Sequence, residues 1–209
     1  FLYQLLIHNT MKNILRTIFL SACLAVAMVG CDDDTDIPYI DKPLFKESFD
    51  DNFPTWVKFS ELGAQVWESA PYGNPDGFCA KMSGFTSSSN ANIDWLISPA
   101  QDLSKFQKAS FAFESAVNFS GPNIEIYISK NYSGTGDPNA AGVEWNKVNG
   151  GKLAVPTTNP SYQYFFSGIV DVPGYAGTGC EAVYFAFKYT STATQSATWE
   201  IDNFKVYGN

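Results

Sequence analysis

The sequence predicts an all-β fold, and more narrowly a jelly-roll β-sandwich of two antiparallel sheets. Three observations lead there. Short runs of alternating or aromatic-rich residues recur along the body, broken by Gly, Pro, Asn and Ser clusters, and no segment past the leader carries a convincing helical period. Two of those runs, Phe111-Ala112-Phe113 and Tyr184-Phe185-Ala186-Phe187, are too apolar for a strand with one wet face, so both of their faces need cover. Each follows a similar lead-in, Asp102-Leu103-Ser104-Lys105-Phe106 in one case and Asp171-Val172-Pro173-Gly174-Tyr175 in the other. That echo suggests equivalent strands entering two facing sheets, as a jelly roll supplies.

Taken in order, the first predicted strand is Leu44–Asp50, where Phe45, Glu47 and Phe49 share one face by strand parity. Gln65–Ser69 carries Trp67, and Phe78–Ser83 follows a Gly/Pro/Asn-rich turn. Ile93–Ser98 is a nearly unbroken apolar run closed by Pro99, and Ser110–Val117 holds the first Phe-Ala-Phe core segment. Ile124–Ser129 alternates Ile124, Ile126 and Ile128. Tyr162–Val172, Ala182–Thr190 and Trp199–Tyr207 complete the set, the second of them holding the other core segment. No boundary inside 44–209 is persuasive, so this stretch is predicted to be one domain.

Ahead of it lies a different kind of sequence. Lys12 and Arg16 supply positive charge, Ile18 to Met28 is mostly apolar, and Gly30 is a small residue at a cleavage position, the layout of a signal peptide. The apolar run is too short to span a bilayer comfortably. It ends in Met28-Val29-Gly30-Cys31, which resembles a bacterial lipobox, in which cleavage occurs before a cysteine whose sulfur carries lipid. Cys31 is therefore the expected lipidation site, with two or more acyl chains needed for stable attachment to the outer membrane. Residues 31–43 read as an acidic tether, with Asp32, Asp33, Asp34 and Asp36 unable to pack and Pro38 and Pro43 stiffening its end. In Bacteroidetes lipoproteins such an acidic run resembles a surface-export signal. The stretch before Met11 reads as upstream translation, so residues 1–30 are set aside from the fold.

Removing residues 1–30 leaves 179 residues with 11 basic and 21 acidic side chains, a charge of −10. Nucleic acid is an unfavourable partner for that surface. The only histidine, His8, lies in the discarded segment, so neither a Ser-His-Asp site nor a His-bearing zinc centre can be built. Cys79 and Cys180 leave two readings open: a disulfide closing a long loop, worth about 4 to 5 kcal/mol in the chain-entropy model, or a pair of buried thiols.

Several motifs together carry a family resemblance. Phe45-Lys46-Glu47-Ser48-Phe49-Asp50, Trp56, Asp94-Trp95-Leu96-Ile97-Ser98-Pro99 with Asp102-Leu103, Ile128-Ser129-Lys130-Asn131-Tyr132-Ser133-Gly134 leading to Trp145, and Trp199-Glu200-Ile201-Asp202-Asn203 resemble the choice-of-anchor J domain over nearly all of 44–209. They also resemble a related Bacteroides lipoprotein family of unknown function. The resemblance implies a jelly roll similar to the cleaved-adhesin and MAM domains, and such folds do not settle function.

Strand parity puts Glu47 on a face with Phe45 and Phe49, and Asp202 on one with Phe204 and Val206. A carboxylate on an apolar face needs a partner. Related sandwiches carry a structural Ca²⁺ where first and last strands meet, so the resemblance implies Glu47 and Asp202 as oxygen ligands, and Asp50, although of opposite parity, could add a third. The plainer reading has Glu47 bonding backbone amides and Asp202 pairing with a lysine. For an extracellular ligand, Tyr132, Asp137 and Asn139 beside Trp145, and Tyr72 and Asn74 in the 67–76 segment, offer rings and polar groups suited to sugar, although the resemblance implies a structural, core place for Trp145. Three functions follow: a non-catalytic surface module binding glycan or another extracellular ligand, an adhesin or structural subunit with a protein partner, or a two-carboxylate glycoside hydrolase. The first is preferred, because no acid pair announces the third.

Overall fold

The computed structural model describes residues 42–155 and 162–209. The leader, Cys31 and the tether through Asp41 lie outside the described residues. Every regular element described is a strand: β1 Phe45–Glu47, β2 Val57–Leu62, β3 Glu68–Ala70, β4 Cys79–Ser83, β5 Asn92–Ile97, β6 Ala109–Asn118, β7 Glu125–Ser129, β8 Asn146–Lys147, β9 Phe165–Phe166, β10 Val170–Asp171, β11 Tyr184–Ser191 and β12 Thr198–Gly208. They form two antiparallel sheets. A seven-stranded sheet runs β10-β6-β12-β4-β3, with β1 paired to β12 and β9 to β6, and a five-stranded sheet runs β2-β5-β11-β7-β8. The predicted jelly-roll sandwich is the observed fold.

The two echoed segments occupy equivalent places. Phe111 and Phe113 lie on β6, inside the seven-stranded sheet, and Phe185 and Phe187 lie on β11, at the middle of the five-stranded one. Their rings meet between the sheets, Phe111 with Phe185 and Phe113 with Phe187 at 5.1 Å each. Phe204 from β12 closes the group, 5.6 Å from Phe185 and 5.4 Å from Trp56. Each fully buried ring contributes about 2–3 kcal/mol, so this cluster holds the sheets face to face.

β12 departs from the alternation read in its sequence. Its register on β6 slips between Asp202 and Lys205, and Asn203 takes a φ of 50°. Such a bulge inserts one residue and exchanges the two faces. Trp199 and Ile201 point into the core before it, and Phe204 and Val206 after it. Asp202 therefore lies on the outer face with Glu200 and Thr198, opposite to the face predicted from Phe204.

Two strands were not predicted, β2 and the two-residue β8. The single run Tyr162–Val172 is divided into β9 and β10, with Gly168 at a φ of 74° between them. Cys79 and Cys180 are both free and buried. Cys180 belongs to the core between the sheets, whereas Cys79 alternates with core-facing Ala80 and so faces outward. The sheet between them forbids a disulfide, which decides for the two-thiol reading.

Candidate functional site

The outer face of the five-stranded sheet carries Trp95, Tyr127, Tyr184 and Ala186. Segment 131–145 roofs it. Tyr132 is 4% exposed and packs 5.3 Å from Tyr184, and Trp145 stacks 5.3 Å from Trp95. Their polar tips are satisfied within the roof: Tyr132 Oη–H donates to the Gly136 carbonyl and Trp145 Nε1–H to the Pro138 carbonyl. Asn139 Nδ2 reaches Glu61 Oε1 at 2.7 Å, while Asp137 Oδ1 accepts from the Asn139 amide. Lys188 lies 4.6 Å above the Trp95 ring and pairs with Glu61. Tyr132 and Trp145 thus serve packing, as the family position of Trp145 implied and as the ligand reading of both did not, while Asp137 serves the turn and Asn139 ties it to Glu61.

On the opposite side of the molecule, segment 71–78 is pinned to the outer face of the seven-stranded sheet. The Asn74 amide donates to Asp202 Oδ2 at 2.7 Å, and Asn74 Nδ2 to Glu114 Oε2 at 2.7 Å. Asn203 Nδ2 donates to the Asn74 carbonyl. Asn74 is thereby consumed in holding its own loop, while Tyr72 stays 55% exposed.

The three expected calcium ligands are not brought together. Glu47 faces the core side of β1, where Phe49 N–H and Trp56 Nε1–H donate to its two oxygens at 2.8 and 3.0 Å. Asp202 faces outward and accepts from the amides of Asn74 and Asn203. Asp50 accepts from Phe78 N–H and Ser48 Oγ–H. The bulge in β12 is the cause, since it puts Glu47 and Asp202 on opposite faces of one sheet. Among the described residues no three His, Cys, Asp or Glu side chains gather in a way that holds a metal. This set does not fit a calcium ion, and the plainer reading holds for Glu47, while Asp202 takes amides in place of a lysine.

The outer face of the seven-stranded sheet also opens into a groove of about 470 Å³. The register sets its floor: Glu68 on β3 lies beside Lys81 on β4, Lys81 beside Glu200 on β12, and Ser83 beside Thr198. Gln65, Val66, Phe85 and Tyr162 form the walls. Lys81 Nζ pairs with Glu68 at 3.0 Å and sits 5.7 Å from the Tyr72 ring centroid. Burial works against the Lys81 charge, but the hydrogen bond and charge of Glu68 outweigh it and hold the ammonium above its ordinary pKa.

Under the floor, Glu200 is buried and its Oε2 has no partner. Burial pushes its carboxyl up to about 7, against the pull of Lys81. Asp202, two residues on, is pushed up to about 6 by burial despite its two amide donors, with Glu114 and Asp50 adding repulsion. These are the acids nearest to a hydrolase pair, and both lie beneath the face, 2% exposed. Sequence reasoning missed the groove. The legible signal was the polar alternation Cys79, Lys81, Ser83 along β4, facing away from Ala80 and Met82.

With this geometry in hand, known proteins bear on the class. No family model matches the chain, and no curated protein matches it. Solved structures do. The K1 cleaved adhesin domain of Lys-gingipain from Porphyromonas gingivalis W83 aligns at a TM-score of 0.57 and 17% identity, over 79% of this chain and 98% of that one. The K3 cleaved adhesin domain of the same protein gives 0.57 and 13%, over 80% and 100%. The K2 domain gives 0.53 and 18%, over 79% and 98%. The chain thus shares the jelly-roll fold of those domains.

Proposed function

We propose that this chain is a non-catalytic surface module of the choice-of-anchor J type that binds glycan in the groove on the outer face of the seven-stranded sheet. One observation carries the reading: Phe85 and Tyr162 face a floor of paired charges, hydroxyls and an amide in a single groove. Aromatic faces stack on the C–H faces of a sugar ring, and Lys81, Glu68, Ser83 and Gln65 match the donors and acceptors of its hydroxyls. The volume of about 470 Å³ falls inside the range of ligand sites. A protein partner is the second reading, favoured by the exposed apolar side chains Val66, Tyr72, Phe85 and Phe166 on the same face.

A glycan-array screen of the protein tests the proposal, followed by titration of any sugar retained. Phe85→Ala and Tyr162→Ala should each weaken binding about tenfold, a loss of about 1.4 kcal/mol. Binding that survives both substitutions sinks the groove as its seat, and a blank array sinks the glycan reading itself.

The anchor belongs to the same proposal. Cys31, acylated at the end of its Met-Val-Gly lead, would tether the module to the outer membrane with its acidic segment outward. Cys31→Ser should move the protein from the membrane fraction to the soluble one. Mass spectrometry of the native N-terminus should find lipid on Cys31, and an unmodified cysteine there would refute the anchor.

A further inference from the structure

The groove on the outer face of the seven-stranded sheet holds a charge pattern that any ligand must answer, and strand register fixes it. Glu68 on β3, Lys81 on β4 and Glu200 on β12 stand in one row across three adjacent strands, each directly opposite the next and so on the same face. Lys81 is the only cation lining the groove among the described residues. It stands between two acids.

That cation is already engaged. Lys81 Nζ pairs with Glu68 at 3.0 Å, the Tyr72 ring flanks it at 5.7 Å, and its charge also acts on Glu200. An ammonium has three hydrogens to donate but a single charge to be neutralised. Glu68 neutralises it, and its hydrogen bond and charge keep the ammonium above its ordinary pKa in spite of burial. The neighbouring row is uncharged. Thr198 Oγ1–H donates to Ser83 Oγ at 2.8 Å and Phe85 N–H donates to the same oxygen at 3.2 Å, so among the described residues the Ser83 hydroxyl hydrogen is left for a ligand oxygen.

What the groove accepts then turns on ligand charge. A sugar hydroxyl needs only donors and acceptors, and Ser83 together with the free lone pairs of Glu68 offers both. A sugar carboxylate or sulfate needs a counter-charge. Placed here it either faces Glu68 or draws Lys81 away from it, and each outcome leaves a carboxylate uncompensated, which costs several kcal/mol where water is excluded. Released from Glu68, the same ammonium would suit an anion.

We propose that the groove selects uncharged sugars and rejects acidic ones, and that Glu68 sets this selectivity by holding Lys81. The inference rests on the glycan reading of the groove and narrows it to a chemical class, neutral hexose or pentose chains, with uronic acids and sulfated sugars excluded.

The test compares cello-, manno- and xylo-oligosaccharides with oligogalacturonate, alginate oligosaccharides and heparin fragments, first on an array and then by titration calorimetry. The working pH is 6, because burial pushes Glu200 up to about 7 and keeps it protonated there, so that Glu68 is the acid holding Lys81. Burial also keeps Cys79 and Tyr164, which lie beside Glu200, neutral at that pH, and Asp202 accepts from its own two amides. The parent protein should retain neutral chains and no acidic one. Glu68→Gln keeps the size of an exposed side chain and should raise the ratio of acidic to neutral affinity at least about tenfold, and adding Lys81→Gln should remove that gain. Glu144→Gln deletes the same charge from an exposed position on the opposite side of the molecule. It should leave the ratio unchanged, which separates the local pairing from the negative charge of the whole chain.

The selectivity is overturned, with the glycan reading still standing, by a parent protein that retains acidic chains as well as neutral ones, by a Glu68→Gln variant without the gain, or by an equal gain in Glu144→Gln. An array blank for every sugar sinks the glycan reading and this inference with it.

Discussion

Glu200 is held in a state its chemistry resists, a carboxyl under the outer face with one oxygen unpartnered and only Lys81 and a hydrogen bond from Tyr164 to offset its charge. Its folded pKa is raised to about 7 from an ordinary value of 4.5. The folded state thus binds a proton that the unfolded state releases first. The stability so gained is fully present below about pH 4.5 and is lost as pH rises through about 7, an effect of about 3 kcal/mol. Asp202, raised to about 6, and Asp94, raised to about 7 by burial, act in the same direction. The urea midpoint should therefore fall from pH 5 to pH 8, and Glu200→Gln should flatten that fall by one group's share. A midpoint that climbs over this interval would refute the protonated state of these acids. Parity read back from Phe204 and Val206 failed at Asp202, because nothing in Ile201-Asp202-Asn203-Phe204 marks the bulge at Asn203 except an Asn tolerant of positive φ.

At the scale of elements, runs with a strong apolar period were readable and edges were not. Each central strand contains a run predicted from sequence, since burial on both faces writes near-continuous hydrophobicity into β5, β6 and β11. β2 escaped because it lies at a sheet edge, where Lys58, Ser60 and Glu61 dilute the stripe of Val57 and Phe59. The site was less legible than the fold for a related reason: a ring in a loop looks identical whether it waits for a sugar or roofs a sheet. The geometry assigns Trp145 to the roof, and its removal should be costly. Trp145→Ala should lower stability by about 2–3 kcal/mol, below the 3–5 of a fully buried Trp because Trp145 is half-buried, and leave ligand binding in the groove unchanged. A well-folded variant of parental stability that has lost binding would return the site to segment 131–145.

At the scale of the whole molecule, the question is what replaces a covalent staple in a fold whose first and last strands must find each other across the chain. β1 pairs with β12 through Phe45 and Val206, Lys46 and Lys205, and Glu47 and Phe204, contacts that join the two ends of the domain and carry the loop-closure cost of distant segments. Aromatic packing supplies the closure. Phe45, Phe49 and Trp56 converge with Phe204, the Trp56 ring lying 5.2 Å from Phe49 and 5.4 Å from Phe204, so the same core that joins the sheets also ties down the start of the domain. Burial pushes the Cys79 thiol up to about 12, keeping it protonated and inert, and the Cys180 thiol lies across the sheet from it. Thermal unfolding with and without dithiothreitol should give the same Tm, and both cysteines should react with a thiol reagent only after denaturation. A fall of several degrees on reduction, the signature of a lost 2–5 kcal/mol cross-link, would mean that the thiols pair and that the sheet between them is placed wrongly.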